Sequence, residues 1–223
     1  MKIIIIRINN KKMECQVHYN FYDKYKNDDF NSKFMKRIQN LNSRYGIKGS
    51  SIESIVKDYF VEIFSWSVIP FEILNMLNGI IKDNNITGII DPCCGNAFHS
   101  YLFGSVLGLK THTVDIQDEP NSWMDINEID GRFYMKDLDI LEHTSSALLL
   151  SWIDYESLTI ELLELYKGNM VISLGNYDKL SPNYIRELND TFKMIKRVVL
   201  KMPWGLTEKI EVYIRRKNIV KCK

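Results

Sequence analysis

The alternation of strands and helices in the second half of the chain constrains the fold most. Strands are predicted at 88–90, 110–114, 147–152 and 169–174, and helices at 98–107, 157–166 and 182–192. The strand at 147–152 is a continuous apolar run, typical of a strand that is buried on both faces of a sheet. Because strands that alternate with helices pair in parallel, this order predicts a mostly parallel sheet with helices on both faces.

Two consecutive strands end the series, at 193–201 and 209–215, with no helix between them. Strands joined without a crossover pair in antiparallel fashion, so this segment predicts an antiparallel hairpin at one edge of the sheet. The expected fold class is therefore α/β, with a mostly parallel sheet, helices on both of its faces and a C-terminal antiparallel hairpin.

Residues 1–50 differ from the rest of the chain and are predicted to form an N-terminal basic extension. They are polar, with one expected strand at 3–8 and one expected helix near 30–43, and residues 46–51 are typical of a linker. From residue 51 onwards the apolar spacing becomes regular, beginning with helical faces at 52–63 and after Pro70. Residues 51–223 are therefore predicted to form one domain.

The composition indicates a soluble globular protein, since 45% of the residues are hydrophobic and 26% are charged. No apolar run reaches the roughly 18 residues that a membrane span requires, and the apolar run at residues 1–6 is too short for a signal peptide. We therefore expect a cytoplasmic protein without a membrane partner. The four cysteines show no metal-site spacing, so reduced thiols and no bound metal are expected.

Charge is segregated along the chain although the net charge is only +1. Residues 1–50 contain 11 basic and 4 acidic residues, and residues 193–223 contain 10 basic and 2 acidic residues. Residues 115–164 contain 2 basic and 13 acidic residues. The basic ends either bind a polyanion such as nucleic acid, fold back on the acidic middle, or are solvated.

The loop after the first strand of the series has the composition of a ligand-binding turn. It reads Asp91, Pro92, Cys93, Cys94, Gly95, Asn96, Ala97 and Phe98. In an open parallel sheet, ligands bind beyond the carboxyl ends of the strands. The loop resembles motif I of S-adenosylmethionine (SAM) methyltransferases, an acidic residue followed by GxGxG, with the three glycines falling on Cys93, Gly95 and Ala97. The resemblance implies cofactor binding by Asp91, Cys93, Gly95 and Ala97; the alternative is an ordinary tight turn.

Further acidic residues are candidates for binding the nucleoside of such a cofactor. Asp115 lies 20 residues after Gly95 at the end of the second strand, where a carboxylate can accept hydrogen bonds from both ribose hydroxyls. Asp137 and Asp139 lie where methyltransferases hold the adenine amino group, and we select Asp137 as the candidate. The alternatives are that Asp115 is a strand-end cap and that Asp118 or Glu119 is the ligand instead.

The residues at the end of the apolar strand at 147–152 and directly after it are the candidates for contact with a methyl acceptor. They read Ser151, Trp152, Ile153, Asp154 and Tyr155, and they resemble the (D/N/S)PP(Y/F/W) motif of amino methyltransferases with both prolines replaced. The resemblance implies catalytic roles for Ser151, Asp154 and Tyr155, with Ser151 also near the cofactor. Asp154 is a candidate base or acceptor-orienting carboxylate.

His99 is the third candidate base, next to Asp154 and Tyr155. It would lie at the start of the helix after the cofactor loop. A single histidine at such a position is more often a surface or capping residue, and this is the role that we expect.

Several motifs together resemble a group of uncharacterised class I methyltransferase-like proteins with a WPPY-type motif after the fourth strand. The resemblance covers about residues 60–217 and implies a Rossmann-like class I methyltransferase fold with a seven-stranded sheet, together with SAM binding, without implying a substrate. The segments of this sequence that correspond to the family motifs are, in order, Phe64 to Pro70, Asp91 to Phe98, Ser151 to Tyr155, Tyr166 to Gly168, Met202 to Gly205 and Val212 to Arg216.

Three functional hypotheses follow. The first is a SAM-dependent methyltransferase whose acceptor is a nucleic acid, a small molecule or a protein side chain. The second is a catalytically inactive methyltransferase fold that serves as a nucleic-acid- or protein-binding module, which the replaced glycines and prolines favour. The third is an NAD-dependent enzyme. Asp115 agrees with the third hypothesis, but the side chain of Cys93 crowds the close backbone approach that a pyrophosphate needs.

Overall fold

The computed structural model describes residues 4–8, 11–15, 60–61, 63–67, 69–117, 122–153, 155–175, 182–202 and 207–216. The predicted helix near 30–43, the linker at 46–51 and Asp154 lie outside these residues. Most of the predicted helical face at 52–63 also lies outside them. The division of the chain at residue 50 therefore stays a prediction.

Nine strands, six α-helices and one π-helix lie wholly within the described residues, and residues 60, 61 and 63 are also helical. The strands are β1 (Ile4–Ile8), β2 (Lys11–Cys15), β3 (Gly88–Asp91), β4 (Lys110–Asp115), β5 (Asn127–Glu128), β6 (Ser146–Ser151), β7 (Met170–Gly175), β8 (Phe192–Lys201) and β9 (Thr207–Arg215). The helices are α1 (Phe71–Asp83), α2 (Phe98–Tyr101), α3 (Gly131–Asp137), α4 (Ile140–Ser145), α5 (Glu156–Leu165) and α6 (Pro182–Thr191), and the π-helix Leu102–Val106 continues α2.

Seven of the strands form one mixed sheet in the order β5-β4-β3-β6-β7-β9-β8. Strands β5, β4, β3, β6 and β7 pair in parallel, whereas β9 runs antiparallel to both β7 and β8. The predicted fold class is confirmed: the sheet is mostly parallel, has seven strands and ends in an antiparallel hairpin. It is a Rossmann-like fold of the class I methyltransferase type.

Helices cover both faces of this sheet, as expected for parallel strands that are buried on both sides. Successive strand residues point to opposite faces, so Ile89 packs with α1 and α2 while Ile90 packs with α3, α5 and α6. On the first face, α1 buries Leu74, Leu77 and Ile81, which recur at helical spacing. Two apolar cores, one on each side, therefore hold the central strands in place.

Some elements differ from the sequence-based expectation. The predicted helix at 98–107 is α-helical only over its first turn and continues as the π-helix, in which the Leu107 N–H donates to the Leu102 carbonyl at 3.2 Å. Strand β5 has two residues, and β2 pairs with β1 in a separate antiparallel sheet. None of the helices in the described part of the chain is long and apolar enough to cross a bilayer.

Substitution by alanine should have opposite effects on stability at two helical glycines. A Cβ atom on Gly131, the first residue of α3, would lie 2.3 Å from the Pro92 carbonyl oxygen, whereas one on Gly79 in α1 would meet nothing within 4 Å. We expect Gly131→Ala to destabilise the protein by about 1–3 kcal/mol, because overpacking forces the loop after β3, which contains Pro92, to move. The control Gly79→Ala should stabilise it by about 0.5–1 kcal/mol.

Equilibrium unfolding in urea measures both free energies of unfolding. Equal stabilisation by the two substitutions would contradict the close packing of α3 against Pro92.

Candidate active site

A cavity of about 320 Å³ lies at the carboxyl ends of β3, β4 and β6. Its position is the one at which open α/β sheets bind their ligands, and its volume lies in the range of small-molecule pockets. The loop after β3 and the start of α2 form one wall, and the segment before α1 forms another. The lining residues are Val61, Ser65, Trp66, Asp91, Cys93, Cys94, Gly95, Asn96, His99, Asp115, Ser151 and Trp152.

The loop after β3 makes a sharp turn through two left-handed residues. Gly95 has a φ of 53° and Ala97 has a φ of 60°, and the Ala97 N–H donates to the Cys94 carbonyl at 2.8 Å. Glycine adopts this conformation freely, whereas alanine pays a steric penalty of about 1–2 kcal/mol. Cys93 is not among the described residues with positive φ, so replacement of a glycine there strains no backbone.

Asp115 fixes this loop from the neighbouring strand. Its Oδ2 accepts the Gly95 N–H at 2.8 Å, and its Oδ1 accepts the Gln117 N–H at 3.4 Å. A carboxylate has about four acceptor positions, so Asp115 holds the loop and still lines the cavity with acceptor capacity to spare. The predicted site residues Gly95 and Asp115 are thus hydrogen-bonded to each other.

Asp91 is a buried acid at the base of the cavity. Its Oδ2 accepts the Ser100 hydroxyl at 2.7 Å, and its Oδ1 has no hydrogen-bond partner among the described residues. The pKa of Asp91 is raised to about 7, mainly by burial; the Ser100 hydrogen bond lowers it in part, and the negative charge of Asp115 adds to the rise. A buried carboxyl with one free oxygen is suited to a cationic or hydrogen-bond-donating ligand.

His99 is buried, which corrects the expectation of a surface or capping residue. It lies on α2 and contacts the Ser65 hydroxyl at 3.0 Å, the Ser67 carbonyl at 3.1 Å and the Ser151 hydroxyl at 3.0 Å. Burial lowers the pKa of His99 to about 4, and the hydrogen bond to Ser67 opposes this shift only in part. His99 is therefore neutral at physiological pH.

The segment before α1 contributes residues that the sequence did not single out for function. Trp152 donates its Nε1–H to the Ser67 hydroxyl at 2.5 Å, and that hydroxyl in turn donates to buried Glu208 at the start of β9. Trp66 packs against Trp152 with ring centroids 5.5 Å apart. In the sequence, only the resemblance of residues 64–70 to a family motif pointed to this segment, and that resemblance implied no role for single residues.

The predicted site residues are brought together only in part. Asp91, Cys93, Gly95, Asp115 and Ser151 all line the cavity, whereas Ala97 is buried in the adjoining core. Asp137 is exposed at the end of α3, and Tyr155 is 74% exposed at the start of α5; neither lines the cavity.

The cysteines of the loop are poor nucleophiles. Burial raises the pKa of Cys93 to about 12 and also raises the pKa of Cys94, with the charges of Asp91 and Asp115 adding to both effects. A protonated thiol is neither a nucleophile nor a metal ligand. In the part of the chain that the structure describes, no group of three or more His, Cys, Asp or Glu side chains is placed to hold a metal ion.

Known proteins resemble this chain in structure and not detectably in sequence. No family model and no curated protein matches the sequence. The N-methyltransferase NodS from Bradyrhizobium japonicum, solved with S-adenosylhomocysteine, aligns over 64% of this chain and 87% of its own, with 6% identity and a TM-score of 0.40. A SAM-dependent methyltransferase from Archaeoglobus fulgidus aligns over 64% and 94%, with 12% identity and a TM-score of 0.46.

The tRNA methyltransferase TrmK from B. subtilis aligns over 65% of this chain and 65% of its own, with 18% identity and a TM-score of 0.44. Identities and TM-scores as low as these say nothing about the ligand or the activity of this chain.

Asp91 makes the stability of the protein depend on pH. Its folded-state pKa of about 7 lies above its ordinary value of 3.8, so between these values the folded state binds more protons than the unfolded state. Stability should therefore fall as pH rises from about 4 to about 7 and level off above. We expect Asp91→Asn to remove this slope and to stabilise the protein at pH 8 by at most roughly 4 kcal/mol.

Thermal and urea unfolding of the two proteins at pH 5 and at pH 8 measure this difference. A gain in stability that is the same at both pH values would show that the burial of charge at Asp91 is not its source.

Proposed function

We propose that this protein is a SAM-dependent methyltransferase whose cofactor lies in the cavity at the carboxyl edge of the sheet. The observation that supports this most is the meeting of three groups at one site. Gly95 is a glycine with a left-handed backbone conformation in the loop that lines the cavity. Asp115 is an acid at the end of the neighbouring strand, bonded to the Gly95 N–H. Asp91 is a buried acid with one oxygen that has no hydrogen-bond partner among the described residues.

The donor and acceptor groups of the cavity fit such a cofactor. Asp115 offers acceptor oxygens to the two ribose hydroxyls while it keeps its bond to the Gly95 N–H. The free oxygen of Asp91 offers a counter-charge to the ammonium group of the methionine part. Ligand binding would thus supply the positive charge that buried Asp91 lacks.

The catalytic demand on the protein is small. When bound, SAM supplies a methyl group on a positively charged sulfur, which is already activated. The chain must then align the acceptor and exclude water. Trp66 and Trp152, packed together at the cavity, are placed to exclude water, and Ser151 faces the space for the acceptor. Asp154 and Tyr155 stay candidates for contact with the acceptor.

The methyl acceptor is a nucleic acid, a small molecule or a protein side chain. The basic residues near both ends of the chain favour a nucleic acid.

A second function is cofactor binding without methyl transfer. It is favoured by the low pKa of His99, about 4, which makes its ring a weak base, and by the position of Tyr155 outside the cavity, since a methyl acceptor that must lose a proton needs a base.

Calorimetric titration with SAM and with S-adenosylhomocysteine tests the cofactor site directly. We expect both to bind, and we expect Asp115→Asn to weaken both by about tenfold or more, because an amide offers one acceptor oxygen where the carboxylate offers two. The matched control is Asp137→Asn, which replaces an exposed acid outside the cavity and should leave both affinities unchanged.

NAD is the control ligand and should give no heat. Loss of binding in Asp137→Asn alone, or binding of NAD in place of SAM, would overturn the proposed site.

A further inference from the structure

The proton positions around His99 follow from its hydrogen-bond partners. The Ser67 carbonyl can only accept, and the Ser65 hydroxyl donates its single proton to that carbonyl at 2.6 Å. His99 Nε2 lies 3.0 Å from the Ser65 oxygen and 3.1 Å from the Ser67 carbonyl. Since neither atom has a proton to give, Nε2 carries the ring hydrogen and donates to both.

The other ring nitrogen is therefore an acceptor. Burial lowers the pKa of His99 to about 4, so at neutral pH the ring carries one proton, at Nε2, and Nδ1 has a lone pair. The Ser151 hydroxyl lies 3.0 Å from Nδ1. The hydroxyl must then be the donor in this contact, and its only proton points at His99.

The direction of this proton determines which hydrogen bonds Ser151 can make with a ligand in the cavity. A hydroxyl has one proton and two lone pairs. With the proton directed at His99, only the lone pairs of Ser151 remain for a ligand, so the side chain acts there as an acceptor. A ligand group that is itself only an acceptor would leave an unpaired polar contact, which is unfavourable in a desolvated site.

The carbonyl that fixes the ring is itself held in place. The Ser67 hydroxyl accepts the Trp152 Nε1–H at 2.5 Å and donates to Glu208 on β9. Residue 67 is thus anchored to β9 and to the residue that follows Ser151. This arrangement leaves the carbonyl little freedom to turn away from Nε2.

We propose that His99 is a positioning residue that fixes the Ser151 hydroxyl as a hydrogen-bond acceptor toward the cavity, and that the methyl acceptor is therefore a group with its own N–H or O–H. This inference rests on the proposed function. It selects amines and hydroxyls as acceptors over groups without a hydrogen, such as thioethers.

Two matched variants separate positioning from a merely structural role. His99→Asn keeps an acceptor oxygen at the place of Nδ1 and loses the donor at Nε2. His99→Gln keeps a donor at the place of Nε2 and loses the acceptor at Nδ1. Both are neutral, polar and similar in size to histidine. Ser151→Ala removes the hydroxyl itself, and thermal unfolding verifies that all three variants fold.

The probes are S-adenosylhomocysteine and sinefungin, an analogue that carries an amine where the cofactor carries its methyl group. The wild-type protein should bind sinefungin about tenfold or more tightly than S-adenosylhomocysteine, because the amine donates to Ser151. Ser151→Ala and His99→Gln should lose this preference, measured within each variant as the ratio of the two dissociation constants, whereas His99→Asn should retain it.

No preference in the wild-type protein, or its equal loss in both His99 variants, would overturn the inference. Failure of S-adenosylhomocysteine to bind the wild-type protein would overturn the proposed function instead. Nitrogen NMR of the ligand-free protein adds a test that needs no cofactor. It should show His99 protonated at Nε2 alone at pH 7, and a ring protonated at Nδ1 would contradict the inference directly.

Discussion

Strand β3 pairs in parallel with both β4 and β6, and the rest of the site depends on this arrangement. Parallel strands end at the same edge of a sheet, so Asp91, Asp115 and Ser151 are brought together although they are far apart in sequence. The hydrogen bond from the Gly95 N–H to Asp115 then ties the loop after β3 to the end of β4. The apolar cores on both faces hold the three strands in register.

The site contains features that reduce stability in the ligand-free protein. Asp91 is a buried acid beside a second acid, and Ala97 and Trp152 both have left-handed backbone conformations. Strain and uncompensated charge of this kind gather at functional sites, where a ligand or a reaction makes use of them. Their concentration around one cavity agrees with selection for binding at this edge of the sheet.

The sequence predicts the groups that lie at strand ends, because hydrophobic periodicity determines where each strand ends. Asp91 and Asp115 were predicted in this way, Gly95 and Ser151 were predicted from the resemblance of their motifs to those of methyltransferases, and all four line the cavity. The network around His99 could not be found, since its partners are 32, 34 and 52 residues away and share no spacing.

Other features also leave no pattern in the sequence. Strand β5 has two residues, too few for periodicity. The π-helix after α2 has the composition of an ordinary helix. Asp137 lies on one of the short helices of the acidic segment. The many charged residues of this segment obscure its apolar spacing, so the exposure of Asp137 could not be predicted.

A crystal structure of the complex with S-adenosylhomocysteine tests the central claim most directly. The account predicts ribose hydroxyls on the Asp115 carboxylate, with the Gly95 N–H bond intact, and the amino group of the ligand toward Asp91. Ligand density elsewhere on the surface, with the Asp91 and Asp115 side chains unchanged and the cavity filled by protein, would contradict it.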